Sequence, residues 1–246
     1  MSTTPTASST APRSWALNRT HLQLIAYTTM AIDHIGAIFF TDQPLWRIIG
    51  RLAFPLFAFF IAQGVVYTRN QRRYLLTLLG AGVIAEPAFD LALYGDIFYT
   101  PRQSVIPTLL LGALALVIMR RLPAHLPPLG QLAASLGITF VATMIADLIS
   151  SDYGGLGVLT VVAFSWIDRA RGWTFVLPAI PLVLVAMASG PALTLATLAP
   201  LALIYFYDPH APFRGLPKWL TYGFYPAHLA LLAVATMVFV WFSYGV

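Results

Sequence analysis

The chain contains no cysteine. That excludes a disulfide framework, a thiolate nucleophile and cysteine-ligated metal. Charge is also scarce, at 9% Asp, Glu, Lys and Arg, against about 25% in a soluble domain. No compact ligand spacing such as HExxH is present, so no metal is expected. No internal repeat is visible, which argues against the repeat architecture of many secondary transporters. The first residues, 1–18, lack an apolar core and are rich in Ser, Thr and Pro. They read as a disordered polar tail rather than a signal peptide.

What is present is hydrophobic. Of 246 residues, 59% are apolar or aromatic, and the mean hydropathy is +0.77. Long apolar runs make this an integral, multi-pass membrane protein. Nine candidate spans follow in order: 22–40, 45–66, 74–94, 104–119, 131–149, 155–167, 173–188, 191–207 and 219–241. The expected fold class is all-α: a polytopic bundle of about nine transmembrane helices, with a cytoplasmic tail over 1–20 and one membrane domain over 21–246.

Basic residues set the orientation. Of fourteen, all but Arg47, Arg51 and Arg102 fall at the tail or on alternate loops: Arg13 and Arg19; Arg69, Arg72 and Arg73; Arg120 and Arg121; Arg169 and Arg171; Arg214 and Lys218. The positive-inside rule places these in the cytoplasm, with the N-terminus among them. The net charge of +5 is thus a topology signal and not a nucleic-acid footprint.

Ionisable residues inside the apolar runs carry the functional signal. Each charge at mid-bilayer costs about 2.5–3.5 kcal/mol on insertion scales, so such residues mark function unless they pair. Asp33, His34, Arg47 and Arg51 cluster in the first two spans. Glu86 and Asp90 lie in the third, Asp147 in the fifth and His228 in the ninth. At 1.5 Å per helical residue, most of them fall in the outer half of the bilayer, with His228 roughly 14 Å up and nearer the floor. One polar chamber open to the outside explains that shared depth. Arg47 with Arg51, and Glu86 with Asp90, are four apart and share a helix face. Asp33 and His34 are neighbours whose side chains diverge by about 100°. An orienting partner for His34 is therefore expected on another helix, with Glu86 or Asp90 as candidates. Rival structural readings stand beside these. Arg47 can snorkel to the interface, Arg51 can pair with Glu86 or Asp90, Asp147 can cap a helix, and His228 can be core packing. Pro55, Pro87 and Pro226 mark irregular backbone beside the polar set.

The segments AIDHIGAIFF, LWRIIGRLAFPLFAFFIAQG, YTRNQRRYLLTLL, EPAFDLAL, DLISSDYGGLGVL and FYPAHLALL together resemble the TraX family across most of the chain after residue 20. The namesake of that family acetylates a conjugative pilin at its N-terminus, and the family looks like a distant relative of transmembrane acyltransferases. The resemblance implies His34 as catalytic base, supported by Asp33, Arg47 and Arg51. It also implies acetyl-CoA as donor, a pilin or other envelope component as acyl acceptor, and residence in the bacterial inner membrane. Arg47, Arg51, Glu86, Asp90, Asp147 and His228 are the expected substrate-binding set. A proton-coupled carrier using the same charges, and a non-enzymatic pilus or envelope assembly factor, are the alternatives.

Overall fold

In the computed structural model, residues 17–167, 172–187, 191–209, 211–212 and 215–244 are described. Most of the expected polar tail, and the basic residues Arg169, Arg171 and Arg214, lie outside them. The described residues form ten α-helices and one short 3-10 turn, with no strand among them. The helices are α1 (Arg19–Phe39), α2 (Pro44–Gly50), α3 (Ala53–Tyr67), α4 (Gln71–Tyr94), α5 (Val105–Met119), α6 (Pro128–Leu148), α7 (Gly154–Phe164), α8 (Val176–Met187), α9 (Pro191–Tyr205) and α10 (Lys218–Tyr244). Five segments are long and apolar enough to cross a membrane: α1, the continuous stretch Pro44–Tyr67, α4, α6 and most of α10. The remaining apolar helices, over 105–119, 154–164, 172–187 and 191–205, are shorter.

Each apolar run expected from the sequence is helical, but one is divided. The run 45–66 breaks at Arg51–Leu52 into α2 and α3. Pro55 supplies the cause. It has no N–H for the Arg51 carbonyl four residues back, and its ring crowds that carbonyl. Pro87 and Pro226 stay inside continuous helices. The start of α1 is fixed by a reciprocal cap. Asn18 Oδ1 accepts from the His21 N–H at 3.0 Å, and the His21 ring lies 3.4 Å from the Asn18 N–H. That cap satisfies donors which no helical partner reaches.

Helix α3 is the centre of the bundle. Its Leu56, Ala58, Phe59, Ala62 and Val65 are at most 1% exposed, and it packs against α1, α5, α7 and α9. Large apolar residues point outward from the surrounding helices, such as Val83 and Ile84 on α4, Leu136 and Phe140 on α6, and Leu231 and Phe242 on α10. In water such a surface would aggregate; in lipid it is the expected exterior.

Two backbone bridges pin the two ends of the bundle. At one end, Leu17 N–H donates to Phe206 and Asp208 N–H donates to Leu17. At the other, Gln103 N–H donates to Ser150 and Asp152 N–H donates to Gln103. Each bridge joins loops that strict up-down alternation puts on the same side.

Close helix approach depends on glycine at named places. A Cβ on Gly112 of α5 would sit 2.7 Å from Val161 Cβ of α7, closer than any packed pair allows. Small residues let transmembrane backbones meet in this way. We expect Gly112→Leu to destabilise the bundle by about 1–3 kcal/mol through overpacking. Thermal unfolding in detergent should show this, and Val161→Ala in the same chain should recover part of it.

Candidate functional site

The interruption after α2 is slight, since Arg51 and Leu52 both stay in the right-handed helical region, and α2 packs along α1. Gly36 and Gly50 permit the contact, because a Cβ on either would collide with Trp46 or with the Asp33 carboxyl. Packed this closely, Arg47 Nη1 donates to Asp33 Oδ2 at 2.7 Å and reaches the Asp33 carbonyl at 3.4 Å. The other carboxylate oxygen, Asp33 Oδ1, is buried and makes no hydrogen bond among the described residues. Asp33 thus serves Arg47 rather than its neighbour His34, as the divergence of adjacent helical side chains requires.

His34 finds its partner on α10. His34 Nδ1 lies 2.8 Å from His228 Nε2, and His228 Nδ1 lies 2.8 Å from the Phe224 carbonyl. The expectation that Glu86 or Asp90 orients His34 is therefore corrected. So is the placement of His228 below the site, since the two rings lie edge to edge and nearly coplanar, with centres 5.0 Å apart and planes at 13°. Phe224 stacks on His228 at 4.9 Å, and Tyr27 stacks on Phe224 at 4.8 Å. Tyr225 meets both imidazoles edge-on.

The hydrogen-bond roles follow from the carbonyl. Phe224 O can only accept, so His228 Nδ1 carries hydrogen. In a neutral His228 the remaining nitrogen, Nε2, is then an acceptor. His34 Nδ1 must donate to it, which leaves the lone pair of a neutral His34 on Nε2. Among the described residues nothing bonds to that Nε2. The arrangement is that of a general base whose second nitrogen is held by a relay ending on a backbone carbonyl.

The other acidic residues have structural partners. Glu86 Oε1 accepts from the Ser104 N–H at 2.6 Å and Oε2 from the Ser104 hydroxyl at 2.7 Å, which caps the start of α5. Ser104 in turn lies against the Tyr225 hydroxyl, so Glu86 touches the histidine pair only at second hand. Asp90 Oδ2 accepts from the Tyr99 N–H at 3.0 Å and holds the loop after α4. Asp147 Oδ1 accepts from the Gly155 N–H at 2.6 Å and caps α7. The structure does not bring these three carboxylates to His34. Arg51 does not pair with Glu86 or Asp90 either. Its Nη1 donates to the Tyr153 hydroxyl at 3.2 Å, and its guanidinium lies 5.9 Å from the centre of that ring.

Tyr153 stands at the site in a left-handed conformation, with φ 63° and ψ −11°. A non-glycine residue there costs about 1–3 kcal/mol and persists only where its surroundings impose it. Phe54 imposes it by stacking on the phenol at 3.7 Å and 8°. Because the Tyr153 oxygen accepts from Arg51, its own O–H is left to donate elsewhere, as a polarised donor.

Asp33, His34, Gly50, Asp152, Tyr153 and Tyr225 are among the residues lining one small cavity of about 40 Å³. A water needs roughly 10–15 Å³ on this measure, so the space takes a few waters or a small acyl group. Asp152 and Tyr153 also line a larger polar vestibule of about 330 Å³, together with Tyr94, Arg102, Asp147 and Ser150. Sequence reading did not single out Asp152, Tyr153 or Tyr225. Tyr153 had one signal, since it directly precedes Gly154 and Gly155 at a helix start; Tyr225 had only its place three residues before His228.

The family model described as TraX protein matches residues 18–236. The chain belongs to the TraX family. Among curated proteins, this TraX-family chain is 32% identical over 240 residues to the "Probable fimbrial assembly protein FimC, serogroup H1" of Dichelobacter nodosus. The match covers 88% of this chain and 94% of that relative. No solved structure matches the chain.

Proposed function

We propose that this TraX-family protein is an acyltransferase of the bacterial inner membrane, moving an acetyl group from acetyl-CoA to an amine or hydroxyl. The observation that carries the reading is the relay Phe224 carbonyl–His228–His34. It presents a bare imidazole nitrogen beside a small cavity that also holds a polarised tyrosine O–H. In the first step His34 Nε2 takes the acceptor's proton as the acceptor attacks the thioester carbonyl carbon. The new C–N or C–O bond forms, and the carbonyl electrons move to oxygen. Tyr153 O–H, backed by Arg51, donates to that oxyanion. In the second step the oxyanion collapses, the C–S bond breaks, and the leaving thiolate takes the proton from His34. His228 accepts the His34 Nδ1–H throughout and stabilises the imidazolium between the two steps. The free lone pairs of Asp33 Oδ1 suit a second N–H of an amine acceptor.

The relative's name places that protein in fimbrial assembly, which makes a pilin subunit the first acceptor to test and another envelope component the second. With the nine spans and cytoplasmic N-terminus expected from the sequence, the polar vestibule faces the outer side, where such acceptors are met. The cysteine-free sequence offers a direct check of this orientation. Phe98 and Tyr67 are 77% and 71% exposed at opposite ends of α4. In intact cells, Phe98→Cys should react with an impermeant maleimide and Tyr67→Cys only after lysis. The reverse pattern would invert the assignment.

The function itself is tested by mass spectrometry of envelope proteins and lipids from cells with and without the protein. An acetyl group that disappears on deletion, and returns with the wild-type chain but not with His34→Gln, is the expected result. An unchanged acetylation profile would refute the reading.

A further inference from the structure

If transfer occurs in the outer half of the bilayer, a cytoplasmic donor must reach it through the bundle. A second, mostly apolar cavity of about 140 Å³ has the shape for this. Five helices each contribute a single stripe to it. On α1 the stripe is Arg19, Gln23, Tyr27 and Met30, with the same helical period on α3 and α4. From Arg19 to Met30 the slot runs along eleven residues of helix, or about 16 Å. Its inner wall is shared. Met30, Phe57, Val105 and Tyr225 line both this slot and the small cavity at His34.

Two features of the lining point to a ligand that is neither lipid nor water alone. Gln23 is 6% exposed and lines the slot; its amide makes no hydrogen bond among the described residues, yet it is not one of their closed-off unpaired groups, so it opens into the slot. An amide that opens into a mostly apolar slot without a protein partner is free to bond a guest that carries amides of its own. At the mouth stands Arg19, exposed and 5.9 Å over the Phe60 ring, a cation held in place at the cytoplasmic end. An acyl chain offers nothing to either group.

We propose that this slot receives the linear, amide-bearing arm of a coenzyme A thioester, with Arg19 taking a donor phosphate and Gln23 an arm amide. The proposal rests on the acyl-transfer reading above. The arm from phosphate to sulfur is about twelve bonds, equivalent to four extended peptide residues, or roughly 14 Å. Anchored at Arg19, its thioester arrives at the level of Met30. His34 lies one helical turn further, and helical side chains lean towards the N-terminus, which returns the imidazole towards that level. Met30, whose thioether side chain is flexible, and Tyr225 form the partition that the acyl group passes.

The test uses the full chain in nanodiscs, with a cysteine placed in the slot by Ala81→Cys on α4, and a second chain carrying Gly137→Cys on α6, away from it. Modification by N-ethylmaleimide is timed with and without acetyl-CoA, and donor binding is measured in parallel by equilibrium dialysis. Saturating acetyl-CoA should slow labelling at position 81 at least tenfold and leave position 137 unchanged. Arg19→Gln should weaken acetyl-CoA binding by about tenfold while acetyl-pantetheine, which lacks the phosphates, binds as before. Acetyl-CoA that binds without protecting position 81 would overturn the slot and leave the acyl-transfer reading standing. No binding of acetyl-CoA at all would overturn both. Protection by oleate and not by acetyl-CoA would make the slot a lipid site and likewise overturn the proposal.

Discussion

Replacing His34 by glutamine should abolish acetyl transfer while the protein still inserts and folds. Glutamine keeps a side-chain N–H that can reach His228 Nε2, so the hydrogen bond across the pair loses little. What it removes is the basic lone pair at Nε2. General base catalysis contributes about 10²–10⁴-fold, and transfer should fall by that factor in an envelope acetylation assay. Tyr153→Phe should fall less, by roughly 10–10²-fold, since it removes one oxyanion donor and leaves the base in place. His228→Ala separates the relay from the base. It frees the His34 ring to rotate and to take the wrong tautomer, and an intermediate loss is expected. Equal transfer by His34→Gln and wild type, at matched protein level, would remove His34 from the mechanism.

The second large effect is on stability, and it separates two roles for Glu86. The structure gives this carboxylate both of its bonds from Ser104, at 2.6 and 2.7 Å. Hydrogen bonds to a charged group are worth about 1.5–3 kcal/mol each. Glu86→Ala should therefore cost about 2–4 kcal/mol by freeing the start of α5, allowing for water reaching the gap. At about 2–4 °C per kcal/mol for a chain of this size, the apparent Tm in detergent should fall by roughly 5–10 °C. Glu86→Gln is the discriminating variant. Its amide oxygen can accept from the Ser104 N–H and its NH₂ can donate to the Ser104 oxygen, so the cap survives in a neutral form. Near wild-type stability and transfer are expected for it. If Glu86→Gln folded normally but lost transfer, the negative charge itself would be part of the chemistry.

How far the sequence could be read follows from which signals are local. Apolar runs mark helices without any tertiary information, and every one expected is present. The division after Gly50 was also written locally, because Pro55 acts on the carbonyl four residues before it; what its presence could not give was whether the helix would bend or break. Ionisable residues in apolar surroundings announced themselves one by one, and Asp33, His34, Arg47, Arg51 and His228 do lie close together. Pairing was not legible. Glu86, Asp90 and Asp147 share a depth with His34, yet each is turned by its own helix towards a backbone N–H nearby. Depth along the membrane normal is one coordinate, and partner choice also needs the rotation of each helix, which packing decides. Tyr153 and Tyr225 were hidden for another reason. Aromatic residues are common in such a chain, and only their stacking on Phe54 and against the histidines sets these two apart.

The histidine pair joins residues 194 positions apart, and the bridge between Leu17 and the end of α9 spans almost as much of the chain. During synthesis the first helix must therefore wait in the membrane, its polar face incomplete, until nearly the whole chain has been made. An unfinished or truncated polypeptide holds His34 but lacks the ring of His228 that sets its tautomer. Under the proposed mechanism, the protein would be silent until its last helix arrives, and prematurely ended chains would spend no donor.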